Sequence, residues 1–204
     1  MSKFISFEGI DGSGKTTQAS RLCNFLTDLG QKARLTREPG GSFAGERIRS
    51  IILTEELDDI TNFFLFNAAR SDHCRSIVKP LLDEGFWVIC DRFFDSTDVY
   101  QSNIDYSIRK MCQKMAVPAG CFPSKTFVID IPGSVAVERL QARQGKLTSF
   151  DAKSEKEHEA NRQKFLRLHN GDGRLVFIDG TGTEQEVFRK IFDNLPNIAI
   201  SKGK

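Results

Sequence analysis

The residues Gly9-Ile10-Asp11-Gly12-Ser13-Gly14-Lys15-Thr16 carry the sharpest chemistry in the sequence, because they fit the spacing G-x-x-x-x-G-K-[ST]. Glycines there let the main chain wrap an anion, so that successive N–H groups and the positive end of a following helix face phosphate oxygens. Lys15 in that register reaches the β- and γ-phosphates, the Thr16 hydroxyl is placed to ligate Mg²⁺, and Thr17 completes the set assigned to ATP. A turn that merely caps a helix would need neither the Lys nor the hydroxyl. A second anchor, Val88-Ile89-Cys90-Asp91, is an apolar run ending in a carboxylate, as expected of a strand-end aspartate acting on the metal or its water.

Phosphate-binding loops serve switches as well as transferases. Asp130-Ile131-Pro132-Gly133 reads superficially as the D-x-x-G of a GTP switch, yet no N-K-x-D or T-K-x-D tetrapeptide occurs to read guanine. Asp130 to Gly133 is therefore read as a strand end and the opening of a helix. Catalysis of phosphoryl transfer is favoured by Arg37, Arg49, Arg70, Arg92 and Arg143, which fall at expected strand ends, helix faces or a lid. Arg37 and Arg92 sit just beyond strand ends, the side on which α/β sheets bind ligands.

These groups need a frame. Apolar runs at Phe4 to Phe7, Ala33 to Thr36, Trp87 to Cys90, Thr126 to Ile131 and Leu175 to Ile178 alternate with helix-length segments. The alternation predicts an α/β fold, a five-stranded parallel sheet flanked by helices on both faces. Helices are predicted from Thr16 to Leu29, Ile60 to Leu82, Ser107 to Met115, Ser134 to Arg143, Ser154 to His169 and Glu184 to Asn194. In the second of these, Phe63, Leu65, Phe66, Ala69 and Ile77 can share core-directed faces. The polar stretch from about 144 to 156 is either a surface loop or a short lid, and Ser201 to Lys204 reads as a solvated tail.

At 204 residues the chain suits one domain, 1–204, and a formal net charge of +2 gives no general attraction to nucleic acid or membrane. The five cysteines, scattered and without a C-x-x-C pair, fit buried thiols in a reducing compartment better than disulfides or zinc. No run approaches the roughly 20 apolar residues of a bilayer span, and a strand-like run begins almost at once, so the expected location is cytoplasmic.

Three stretches together resemble the bacterial thymidylate kinases: Phe7 to Gln18, then Thr36-Arg37-Glu38-Pro39-Gly40-Gly41, then Asp91-Arg92-Phe93-Phe94-Asp95-Ser96-Thr97-Asp98-Val99-Tyr100-Gln101. Leu65-Phe66-Asn67-Ala68-Ala69-Arg70 extends the likeness. The resemblance implies a P-loop kinase fold and transfer of the γ-phosphoryl group of ATP-Mg²⁺ to dTMP, in a homodimer built through helices that include Ile60 to Leu82. It implies that Phe66 stacks on thymine, with Phe63 and Phe64 left to the core, while Arg70 bonds a base carbonyl. Ser96, Thr97 and Gln101 would line the base pocket, and Tyr100 would crowd the sugar. Arg92, with Arg37 or Arg49, would hold the acceptor phosphate, and Glu38 and Asp11 would lie beside the sugar and the transferred group. The catalytic set is then Lys15, Asp11, Arg92 and Arg143. Another nucleoside or nucleoside monophosphate kinase is the nearest alternative, and a non-catalytic nucleotide switch a more distant one.

Two stretches depart from the family pattern. Leu147-Thr148-Ser149-Phe150-Asp151 places Ser149 where the family's lid carries an arginine, so the missing cation is expected from Arg143 first and Lys146 second. Ser102-Asn103-Ile104-Asp105 replaces a loop containing glycine and arginine.

Overall fold

The computed structural model describes residues 3–143, 153–168 and 173–195. The apolar runs become strands β1 (Phe4–Glu8), β2 (Ala33–Arg37), β3 (Trp87–Asp91), β4 (Lys125–Asp130) and β5 (Leu175–Asp179). All pair in parallel, in the order β2-β3-β1-β4-β5. Every residue of central β1 is buried, which is why its run shows no polar alternation: a strand covered on both faces has no solvent side. Its one internal hydroxyl, Ser6 Oγ, pairs with Thr126 Oγ1 at 2.6 Å.

Helices cover both faces. On one, α1 (Lys15–Asp28) and α9 (Glu184–Asp193) bring Leu22, Leu26, Val187 and Ile191 against Ile5, Phe7, Ile89 and Phe127. On the other, Phe4, Val88 and Cys90 pack against Cys74, Val78 and Phe93, and Val128 against Ile131, Ala136 and Phe165. Cys23, Cys74, Cys90 and Cys121 are buried and Cys112 is half-buried.

The remaining helices are α2 (Phe43–Thr54), α3 (Asp59–His73), α4 (Lys79–Asp83), α5 (Phe94–Tyr100), α6 (Tyr106–Ala116), α7 (Gly133–Ala142) and α8 (Glu155–Leu166). The expected single helix from Ile60 to Leu82 is α3 and α4 joined by a wider π-turn at Cys74–Val78. Pro80, which has no N–H for the helical ladder, follows two residues after that turn. Phe63 and Ala69 are buried, while Leu65, Phe66 and Ile77 are only half-buried. Phe64, assigned to the core, is 57 % exposed, so it stands on the outer side of α3. Neither α2 nor α5 is anticipated by the periodicity. Asp130 ends β4 and Gly133 opens α7, with Asp130 paired to Arg162 at 2.6 Å rather than facing a nucleotide. Of the expected lid, residues 144–152, with Lys146 and the Ser149 position, lie outside the described residues, as does the expected tail. Among the described residues no helix is long and apolar enough to cross a membrane.

Candidate active site

The strand order reverses about β1, and at the carboxyl ends of β1, β3 and β4 this opens a crevice. A cleft of about 920 Å³ occupies it. Residues 9–14 run from β1 into α1, and three left-handed glycines turn them: Gly9 (φ 139°), Gly12 (φ 80°) and Gly14 (φ 91°). A Cβ on Gly9 would stand 2.5 Å from the Ile129 carbonyl oxygen, and one on Gly12 2.7 Å from that of Ala136. The cradle is thus pressed against β4 and α7, where no larger residue fits.

Lys15 is buried, its Nζ 3.2 Å from the Ile10 carbonyl and 3.6 Å from Asp11. Burial, with Arg92 nearby, holds its pKa below the usual lysine value despite the surrounding carboxylates. Burial alone would raise the Asp11 pKa, but Arg92, Lys15 and Lys153 outweigh it and hold the carboxyl well below the usual range. Thr16 Oγ1 donates to Asp91 Oδ2 at 2.5 Å, and the buried Asp91 Oδ1 has no hydrogen-bond partner among the described residues. An oxygen-only pair with lone pairs to spare suits a hard divalent cation completed by water and phosphate oxygens. The described residues contain no cluster of three or more His, Cys, Asp or Glu that would make a closed cage instead.

Arg92, immediately after β3, is the one non-glycine residue with positive φ among those described, at 68°. It is held there by bonds from its guanidinium to the Gly9 carbonyl (3.1 Å), to Ser96 Oγ (3.0 Å) and to Asp11, and it lies over the Tyr100 ring at 5.2 Å. Strain of this kind persists where the surroundings over-determine it, often at functional sites. Beneath it, buried Glu8 accepts from the N–H groups of Phe93 (2.8 Å) and Ser96 (3.2 Å) and from Ser96 Oγ (2.6 Å). Burial first, then Asp95, pushes the Glu8 carboxyl up to about 7 against the pull of Arg92.

Across the cleft, Arg70 Nε donates to Glu38 Oε2 at 2.7 Å and Nη2 to the Phe93 carbonyl at 3.4 Å. Arg49 reaches the Pro39 carbonyl at 3.0 Å, and Arg37 pairs with Glu46 at 2.9 Å. Phe66, Thr97 and Gln101 complete this wall, with Arg143 at the opposite rim. Every expected site residue lines the cleft except Gly9 and Ile10, whose carbonyls act from behind it on Arg92 and Lys15.

Sequence reasoning missed Glu8, Arg139, Lys153 and His73. Arg139 ties the cradle to the loop after β5, through Ser13 O (3.5 Å) and Gly180 O (2.9 Å). Lys153 stands 4.0 Å from Asp11 and 4.6 Å over the Tyr100 ring. A carboxylate inside the F-I-S-F-E run was the one visible signal, pointing to Glu8. The described lining carries seven cations (Lys15, Arg37, Arg49, Arg70, Arg92, Arg139, Arg143) against four acids (Asp11, Glu38, Asp91, Glu184), an excess suited to polyphosphate.

A parallel sheet whose central strand runs into a glycine cradle, with a metal-competent Thr–Asp pair and arginines on both walls, defines a P-loop phosphotransferase. The family model described as thymidylate kinase matches residues 7–191. A thymidylate kinase of Sulfurihydrogenibium sp. is 40 % identical over 98 % of this chain and 100 % of its own length, and one from Dinoroseobacter shibae is 41 % identical over 95 % and 96 %. The crystal structure of thymidylate kinase from Ehrlichia chaffeensis superposes with a TM-score of 0.73 at 30 % identity, covering 93 % of this chain and 96 % of that one. The chain belongs to the thymidylate kinase family, and it is an ATP-dependent phosphotransferase that converts dTMP to dTDP.

Proposed function

We propose that one nucleoside monophosphate kinase domain, 1–204 with its lid at about 144–156, carries out this transfer in the cleft at the end of β1. The observation that carries the reading is that Lys15 with the cradle shares one cavity with Arg92, Arg49 and Arg37. A nucleoside monophosphate is mostly dianionic near neutral pH, its second pKa being about 6, so the attacking oxygen needs no strong base. It needs relief of repulsion from a second polyanion.

Residues 9–17 hold the ATP phosphates, with Lys15 released from the Ile10 carbonyl to meet the β/γ oxygens. Thr16 and Asp91 would hold Mg²⁺, which when bound would supply positive charge to neutralise the phosphate oxygens. Arg92 holds the acceptor phosphate together with Arg37 and Arg49. Phe66 stacks on the thymine, Ser96, Thr97 and Gln101 border it, and Tyr100 crowds the sugar. Arg70 turns its Nη1, which has no protein partner among the described residues, toward a base carbonyl. Glu38 and Asp11 flank the sugar and the transferred group. Arg143 supplies the transition-state cation from the rim, and Lys153, already beside Asp11, adds charge on the same side. The active species is a homodimer in the cytoplasm, with no nucleic acid or membrane partner.

The deciding experiment measures ADP formation by purified protein with dTMP, dUMP, dCMP, dGMP and deoxythymidine. Strong preference for dTMP is expected, and preference for deoxythymidine overturns the acceptor assignment.

A further inference from the structure

His73 has no place in the chemistry above. It is 0 % exposed and does not line the cleft, yet it is bonded on both ring nitrogens. Nδ1 faces Glu38 Oε1 at 3.0 Å and Nε2 faces Thr36 Oγ1 at 2.7 Å. A carboxylate oxygen only accepts, so Nδ1 carries a proton, and in the neutral ring Nε2 accepts from the Thr36 hydroxyl. The same Glu38 gives its other oxygen to Arg70 Nε at 2.7 Å. The chain Thr36–His73–Glu38–Arg70 therefore runs from β2 to the cleft wall through buried side chains.

The sequence is arranged for it. His73 stands three residues after Arg70, on the same face of α3. Gly41 closes over the junction: a Cβ there would lie 2.5 Å from Thr36 Oγ1 and 2.6 Å from His73 Nε2. Its φ of 78° is one a larger residue adopts only with strain.

We propose that His73 is a positioning residue for acceptor recognition, clamping Glu38 so that Arg70 aims its remaining amino group at the base. An unclamped carboxylate swings to a two-oxygen fork with the guanidinium, the preferred Arg–carboxylate geometry, and draws Arg70 off its aim. With His73 on Oε1, Glu38 offers Arg70 a single oxygen. A guanidinium so held presents a donor, which suits the 4-carbonyl of thymine and opposes the 4-amino group of cytosine. The inference rests on the reading of Arg70 as the base-contacting group.

The test compares His73→Leu, His73→Gln and Thr36→Val by KM for dTMP, KM for ATP, kcat, the dTMP-to-dCMP ratio and melting temperature. His73→Leu is expected to raise KM for dTMP by about tenfold or more, leave KM for ATP within about twofold, and narrow the preference over dCMP. His73→Gln, whose amide donates and accepts in the same two directions, recovers most of the loss. Thr36→Val shifts KM for dTMP the same way by a few fold, and it decides the matter should His73→Leu not fold. Unchanged KM for dTMP in His73→Leu or Thr36→Val overturns the proposal. So does an equal rise in both KM values with a lowered melting temperature, the mark of packing alone. Failure of the wild type to phosphorylate dTMP is a separate result. It strikes the acceptor reading, and the clamp is then judged on whether His73→Leu and Arg70→Ala raise KM for the acceptor that the protein does use.

Discussion

Asp11 is surrounded by Arg92, Lys15 and Lys153, so the acid at the centre of the cleft stays ionised and holds cations in place until phosphates arrive. Arg143 has the opposite character, exposed on the rim beyond α7 with no side-chain hydrogen bond or ion pair among the described residues. A group that acts chiefly in the transition state shows in kcat, so Arg143→Ala should lower kcat about 10²-fold with little change in dTMP binding. Single-turnover and binding measurements separate the two, and wild-type turnover would eliminate its role. Glu8 gives a pH signature. Its carboxyl, ordinarily at 4.5, is raised to about 7 in the fold, so the folded state holds the extra proton between those values. Its contribution is complete below 4.5 and is lost as pH rises through about 7. Glu8→Gln keeps an oxygen for the Phe93 and Ser96 amides and an amino group for Ser96 Oγ. The expected outcome is that melting temperature falls less between pH 5 and pH 8 in Glu8→Gln than in the wild type, and identical slopes would refute the assignment.

Among the elements, α5 shows where sequence patterns stop being informative. It has no side-chain cap of its own. Glu8, far earlier in the chain, accepts its first N–H groups instead, so the signal that starts the helix lies in another strand. Likewise α2 carries Gly45 inside it and turns Phe43 and Ile51 outward, which leaves Ile52 as its one fully buried apolar side chain. The five strands and α1 were legible because β1 and β3 are buried on both faces and because the cradle's glycines have a fixed spacing. The cleft residues were legible as types at strand ends, whereas Glu8, His73 and Arg139 act through partners distant in sequence, which no local spacing encodes. Gly12→Ala tests the cradle as a unit. Its Cβ would press on the Ala136 carbonyl at a φ of 80°, so KM for ATP should rise about tenfold or more, with a loss of about 2 kcal/mol in stability by denaturant titration. A wild-type KM for ATP would show that the loop yields without cost.

For the molecule as a whole, the surface beside α3 bears on assembly. Ile60 and Phe64, one turn apart on α3, are 59 % and 57 % exposed, and Met111 and Met115, one turn apart on neighbouring α6, are 56 % and 67 % exposed. This apolar surface suits the homodimer proposed above. Phe64→Asp is expected to shift the protein from dimer to monomer in sedimentation velocity, and an unshifted dimer would place the interface elsewhere. The net charge of +2 gives no hint of the cationic cleft, since the acids that offset it lie on other surfaces.

The position of β1 at the middle of the sheet also governs how the molecule is born. Phe4 pairs with Val88 and Ile5 with Lys125, so β1 leaves the ribosome well before both of its partners and must wait for them. A nascent chain halted before Lys125 carries the glycine loop without the Ile129 and Ala136 carbonyls that seat it. The ability to grip a triphosphate therefore arrives late in translation, and until then the apolar β1 segment is a natural client for a chaperone.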